Sequence, residues 1–274
     1  MYWEAVRHLI LIILALYTLA PLLFLFVNAF KSNNEIIASP VALPEHWTLQ
    51  YIKTAMEAIN FGKALGLTFI ITFFSILLLV IVSSFAAWAM VRSKTILSNI
   101  VFLCFTAAML VPFQSLMYPL LSVFEKMGLK NVQGLILMYG GFGLSMSVFL
   151  YHGFIKSVPA SLEEAAVLDG ANLFQMFFKV VFPLLKGTTV TVIVLNGMWI
   201  WNDYLLPFLV IGNKTGSKTL TLELYFAKLT SGQYGNPWEL IFPAVFVTII
   251  PIIILYIFLQ KYIVAGVSEG AVKM

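Results

Sequence analysis

PASLEEAAVLDGANLFQMFFKVVFPLLKG, residues Pro159 to Gly187, sets a short acidic and alanine-rich turn between two segments apolar enough to cross a membrane. Ser161 followed three residues later by Glu164 has the spacing of a capping box, in which the hydroxyl accepts from the Glu164 N–H while the carboxylate reaches back. Glu163 and Glu164 then fall in the first turn, where the positive end of the helix dipole favours carboxylates. Gly170 ends the helix, being free to adopt the left-handed conformation that closes helices. The predicted helix covers residues 161–170. Ala165 and Ala166 give it a slim face, on which a groove of another protein can approach the backbone closely. The plainer reading is an interfacial turn that only joins two membrane helices.

Beyond that turn, the chain is 61% hydrophobic and 10% charged, against roughly 25% charged residues in a soluble domain. Apolar runs, uncharged except for Lys186 and Asp203 in the fifth, occur near Leu9–Ala29, Ala64–Val91, Ile96–Phe124, Val132–Ile155, Val180–Ile211 and Leu240–Leu259. Each reaches the roughly 18 residues needed to cross a hydrocarbon core. These runs predict an all-α integral membrane protein of six spans in one domain, residues 1–274. The first run exceeds the core of a cleavable signal peptide and is expected to stay as an anchor. Cys104, the single cysteine, lies in an apolar run and reads as a buried structural thiol. The net charge of +4 is spread over the loops without a basic cluster, which excludes a nucleic-acid partner.

Six spans put both termini on one side. Placing the turn at Glu163–Gly170 inside leaves eight basic residues on each side, so the positive-inside count does not choose an orientation. The short Arg92-Ser93-Lys94 hinge, with two cations and no acid, favours the same inside. Trp88 is expected near that interface. The polar stretch Lys31–Lys63 and the Gly212–Trp238 stretch would then be outer loops. The second is rich in Gly, Thr, Ser and Asn and reads as a flexible, hydrated segment. It is a candidate for contact with an external protein through Gly216, Tyr225 and Gly232.

No G-x-x-x-x-G-K-[ST] loop is present, so energy for any ATP-driven process must come from another chain. His8, His46 and His152 are scattered without metal-ligand spacing, and no nucleophile-turn motif exists. The chain offers no enzyme site. Polar groups inside spans are costly unless they face protein or water, which singles out Asn196, Trp199 and Asp203. Their i, i+3, i+7 spacing predicts one shared helical face, either lining a translocation pathway or bonding to neighbouring helices. Gln114, between Pro112 and Pro119, raises the same choice at a predicted kink.

The residues Glu164-Ala165-Ala166, Asp169-Gly170-Ala171 and Pro183-Leu184 resemble the EAA loop of the membrane subunits of bacterial ABC importers. Ser84-Phe85-Ala86-Ala87-Trp88-Ala89 with Arg92, Val111-Pro112-Phe113-Gln114, Trp201-Asn202-Asp203-Tyr204 and the tail from Gln260 to Lys273 extend the similarity to the maltose-type carbohydrate importer permeases. Within them the chain is similar to the second, six-helix permease subunit. The resemblance implies a type I importer in the bacterial cell membrane, with both termini cytoplasmic and the Ser161–Gly170 segment as the coupling helix. Its partners would be a homologous permease, two ATPase subunits that bind ATP and magnesium, an extracellular sugar-binding protein, the sugar and lipid. No cofactor would sit on this chain. An ion-coupled secondary carrier is the main alternative; a membrane enzyme and a pure scaffold are weaker rivals.

Overall fold

The computed structural model describes residues 2–212, 216, 218–231 and 236–271. Among them all regular structure is helical. The chain groups into two compact units. One comprises the chain up to Leu65 with Thr219–Ile253, and the other Gly66–Lys218 with the chain from Ile254 onward.

The first unit contains α1 (Tyr2–Asn28), α2 (Asn33–Ala38), α3 (Gln50–Ala58) and the opening residues of α4 (Phe61–Ser93). From the later part of the chain it takes α13 (Leu220–Ser231) and the first half of α14 (Trp238–Ala271). Leu9, Ile13, Leu16 and Leu23 on α1 are all exposed, as in a helix whose solvent is hydrocarbon. Ala55 of α3 and Ile59, which caps it, pack with Ala244 and Val247 of α14. Phe24 and Phe26 of α1 meet Phe242 and Phe246 edge-on at 5.6 and 5.7 Å.

Two expectations for the outer segments do not hold. Lys31–Lys63 is no plain loop, since it folds into α2 and α3. Lys31 itself is buried and donates to the carbonyl of Ser39 at 3.0 Å. Desolvation lowers its pKa, with Glu35 opposing. A capping box opens α2: Ser32 Oγ accepts from the Glu35 N–H at 3.3 Å, and Glu35 Oε2 accepts from the Ser32 N–H at 2.8 Å. The Gly212–Trp238 stretch likewise contains the 12-residue α13, whose apolar face, Leu224 and Ala227, joins the core of this unit. Composition suggested a flexible loop, but burial of that stripe stabilises a helix.

The second unit holds the rest of α4, then α5 (Ile96–Ala108), α6 (Phe113–Lys126), α7 (Val132–Ile155) and α8 (Ser161–Leu168). After these come α9 (Leu173–Met176), a π-helical turn at Phe177–Val181, α10 (Phe182–Leu184), α11 (Lys186–Asn202) and α12 (Leu205–Val210). Its core is built from Val80, Ala87 and Trp88 on α4, Val148, Tyr151 and Ile155 on α7, Phe177 and Val181 on the π turn, and Leu185 and Val192. Phe177 is the hub, with ring centroids 5.0 Å from Phe85 and 5.3 Å from Trp88.

Among the described residues, four helices are individually long and apolar enough to span a bilayer: Trp3–Asn28, Phe61–Ser93, Val132–Ile155 and Trp238–Phe258. Two further apolar runs are broken rather than straight. The first bends by 107° between α5 and α6, and the second by 77° between Leu184 and Lys186. At the first break Pro112 lacks the N–H that would continue the ladder. The second comes after the π turn and Pro183, where the hydrogen-bond register has already shifted. Cys104 is exposed on α5, which overturns the expectation of a buried thiol. Leu103 and Ile100 beside it are exposed as well, so this side of α5 faces away from the unit.

Candidate coupling loop and interior polar sites

The acidic turn after Pro159 is folded as α8, but it starts differently from the capping-box expectation. Ala160 is already helical, at φ −64° and ψ −25°, and its carbonyl accepts from the N–H groups of Glu163 and Glu164 at 2.9 and 3.0 Å. Ala160 therefore holds the cap position, and no side chain caps the helix. The carboxylates keep their places in the first turn.

The far end matches the expectation. Gly170 has φ +81°. Its N–H donates to Val167 O at 3.0 Å, and the Ala171 N–H reaches back to Ala166 O at 2.9 Å. Together these bonds form a Schellman closure. Two residues later Asn172 opens α9 with a true capping box: its side chain accepts from the Gln175 N–H at 2.9 Å, and Gln175 Oε1 accepts from the Asn172 N–H at 3.0 Å.

Helical periodicity divides the side chains of α8. Glu163 and Ala166 are buried, whereas Ser161, Leu162, Glu164, Ala165, Val167, Leu168 and Asp169 are exposed. The two alanines thus do not share one slim outer face, because Ala166 points into the protein. The exposed side is apolar at its centre, with Leu168 88% and Phe174 of α9 64% exposed, and the Glu164 and Asp169 carboxylates lie on it. Glu163 turns the other way. It accepts from Trp88 Nε1 at 3.0 Å and from Arg92 Nε at 2.8 Å, and Arg92 Nη2 also donates to the Val158 carbonyl at 3.0 Å. Trp88, expected at a membrane interface, is buried inside the unit. Spacing gave no warning of this cluster, although Trp88 and Arg92 stand one helical turn apart at the end of an apolar run.

The interior polar candidates separate in the same way. Asn196 is buried and donates to Ser147 Oγ at 3.1 Å and to Val192 O at 2.9 Å, tying α11 to α7. Gly143 makes this possible: a Cβ there would lie 2.5 Å from Asn196 Oδ1. Trp199 is 42% exposed, with its ring edge-on to Tyr139 at 5.5 Å. Asp203 does not continue their helical face, since α11 ends at Asn202 and Asp203 is extended at ψ 133°. Its carboxylate accepts from the Leu205 N–H at 2.9 Å, starting α12, and from the Tyr139 hydroxyl at 2.9 Å. Gln114 is exposed just past the 107° break. Of the candidate external contacts, Gly216 is exposed, while Tyr225 is half-buried on α13 beside Phe226. Gly232 lies outside the described residues. Among the described residues no group of three or more His, Cys, Asp or Glu is placed to hold a metal.

A helix with one buried and one exposed side, closed by Gly170, thus lies in a short loop between apolar helices, at the residues that resemble the EAA loop. The family described as the binding-protein-dependent transport system inner membrane component matches residues 80–269, which include this loop and both interior sites. The chain belongs to that family. It is 43% identical over 262 residues, 96% of this chain and 94% of the relative, to the probable starch degradation products transport system permease protein AmyC of Thermoanaerobacterium thermosulfurigenes. It is 35% identical, over 97% of this chain and 96% of the relative, to the multiple sugar-binding transport system permease protein MsmG of Streptococcus mutans. A solved bacterial ABC transporter involved in import of the acidic polysaccharide alginate has a chain of the same fold, with TM-score 0.81, 23% identity and 95% and 96% coverage. The chain is thus a multi-pass membrane permease subunit, not an enzyme, and the family expected from its EAA loop is the one found.

Proposed function

We propose that this chain is a permease subunit of an ATP-driven oligosaccharide importer in the bacterial cell membrane, with six spans and both termini cytoplasmic. It forms half of the translocation pathway with a homologous permease. The exposed side of α8 seats on one of two ATPase subunits, which bind ATP and magnesium, and an extracellular sugar-binding protein delivers the sugar from outside. The supporting observation is the two-sidedness of α8: Glu163 and Ala166 hold it to the protein, while Leu168, Glu164 and Asp169 face outward beside a rigid Gly170 closure. The sugars in the names of the two relatives support an oligosaccharide substrate. Trp199 and Gln114 are the exposed pathway candidates, and Gly216 and Tyr225 the candidates for contact with the binding protein. Asn196 and Asp203 serve helix packing and the α12 start.

Reconstitution tests the reading. The chain, its partner permease, the ATPase subunits and the binding protein are placed in vesicles, and uptake of maltotriose, raffinose and arabinotriose is followed with and without internal ATP. Uptake of at least one that needs both ATP and the ATPase subunits is the expected result. Uptake driven by a proton or sodium gradient in the absence of the ATPase would establish the ion-coupled carrier instead.

A further inference from the structure

Glu163 sits where donors from a distant part of the chain converge. Trp88 and Arg92 project from the last turns of α4, 75 and 71 residues away, and between them fill both carboxylate oxygens: Trp88 Nε1 on Oε2 at 3.0 Å, and Arg92 Nε and Nη2 on Oε1 at 2.8 and 2.7 Å. Arg92 also grips the carbonyl of Val158 in the segment entering α8. Buried Ala166 and the chain connections to α7 and α9, each through a short turn, also hold α8 in place. The contacts of Glu163 add a charge-assisted attachment, to a helix that α8 does not adjoin in sequence. Charge-assisted bonds of this kind are about twice as strong as neutral ones. The same Trp88 ring packs on Phe177 in the π turn at 5.3 Å, so α8, the inner end of α4 and the π turn share one rigid joint.

We propose that Glu163 is a positioning residue that makes α8 and the inner end of α4 a single rigid body, so that a push delivered to α8 moves α4 directly. The proposal rests on the coupling reading of α8 under "Proposed function". It assigns the two adjacent glutamates opposite tasks: Glu164 faces the partner, and Glu163 carries the motion inward. Tight, satisfied packing of this kind shifts as a block and does not deform.

The assembled importer in lipid nanodiscs, with spin labels at the exposed Ala89 on α4 and Ser161 on α8 in a Cys104→Ser background, reads the joint by electron paramagnetic resonance. The parent is expected to give one narrow distance, identical with ADP and with ATP plus vanadate. Glu163→Leu is expected to give different distances in the two nucleotide states, and to lower sugar imported per ATP hydrolysed about tenfold in complexes that retain their ATPase subunits. Glu163→Gln, which keeps an acceptor, falls between the two. If Glu163→Leu does not assemble, Arg92→Lys carries the test, because it keeps the charge and loses the fork that spans Glu163 and Val158. An unchanged single distance and an unchanged import ratio in whichever of these variants assembles overturns the brace. A parent complex without ATP-driven import of the three test sugars overturns the coupling reading itself, whatever the labels report.

Discussion

Replacing Gly170 isolates the closure of α8 from everything around it. At φ +81° an L side chain is strained, yet a Cβ built there meets nothing within 4 Å, so the cost is conformational and free of steric clash with neighbours. Left-handed backbone costs an L-residue about 1–2 kcal/mol, least for Asn and most for β-branched residues. Gly170→Asn should cost least, Gly170→Ala about 1 kcal/mol, and Gly170→Val about 2 kcal/mol. The Schellman bonds Ala171 to Ala166 and Gly170 to Val167 carry that loss. Amide exchange in a peptide covering residues 161–171 should speed up by about 5-fold for Ala and about 30-fold for Val, while peptides from α7 and α11 stay protected. Glu164→Ala is a contrasting control. Because Ala160, not Ser161, occupies the cap position, that substitution removes no capping bond and should cost only the dipole contribution, about 0.3–1 kcal/mol. Uptake should fall in the order Asn, Ala, Val. Exchange that is equal in all four proteins, or faster in Glu164→Ala than in Gly170→Val, would refute the assignment of Gly170 as the element that sets the end of the helix.

In a Cys104→Ser background, cysteine at Trp199 should react with a small hydrophilic thiol reagent in the assembled complex, and cysteine at Asn196 should not, nor at the buried Val194 and Ile200; labelling at Asn196 would contradict its packing role. Gly143→Ala forces a methyl within 2.5 Å of an Asn196 oxygen and 2.7 Å of Leu79, and should lower thermal stability by about 1–3 kcal/mol, with Asn196→Ala partly restoring it if that contact is the cause. Glu35 has its pKa lowered, chiefly by the Ser32 N–H, so its contribution to α2 is complete above its ordinary 4.5 and is lost as pH falls through the lowered folded value. Glu35→Gln should remove that acid limb from the pH dependence of exchange in residues 32–45, and an unchanged acid limb would show that another group supplies it.

Reading the chain as text succeeded where one residue type answers one physical need. Gly170 was legible because the end of a short helix wants a residue without a Cβ, and the apolar runs were legible because hydrocarbon tolerates little else. The capping box at Ser161 failed because the rule needs a non-helical residue at the cap, and the Pro159-Ala160 pair lets the helix begin one residue sooner. The same spacing was present, and correct, at Ser32–Glu35 and Asn172–Gln175, hidden in stretches read as connectors or as apolar sequence. Asp203 was placed by counting along a helix that stops one residue before it. The 107° bend falls at the kink expected from Pro112, whereas the 77° bend left little trace, because an apolar run looks alike whether it is straight or broken. Glu163 and Glu164 are indistinguishable by composition; only the donors on α4 separate them.

The π turn at Phe177–Val181 makes chain length an alignment device. A π segment is in effect an α-helix carrying one surplus residue, and each residue in a helix turns its successor by about 100°. Phe177 and Phe178 are neighbours in sequence, yet the first is wholly buried in the hub against Trp88 and Phe85 and the second is 49% exposed. Which of them fills the hub is decided by register alone, not by chemistry. A single-residue deletion here would swap one phenylalanine for its neighbour in an otherwise unchanged composition. It would turn α8 and α9 about the helix axis relative to α11, a change that substitution scanning would never sample.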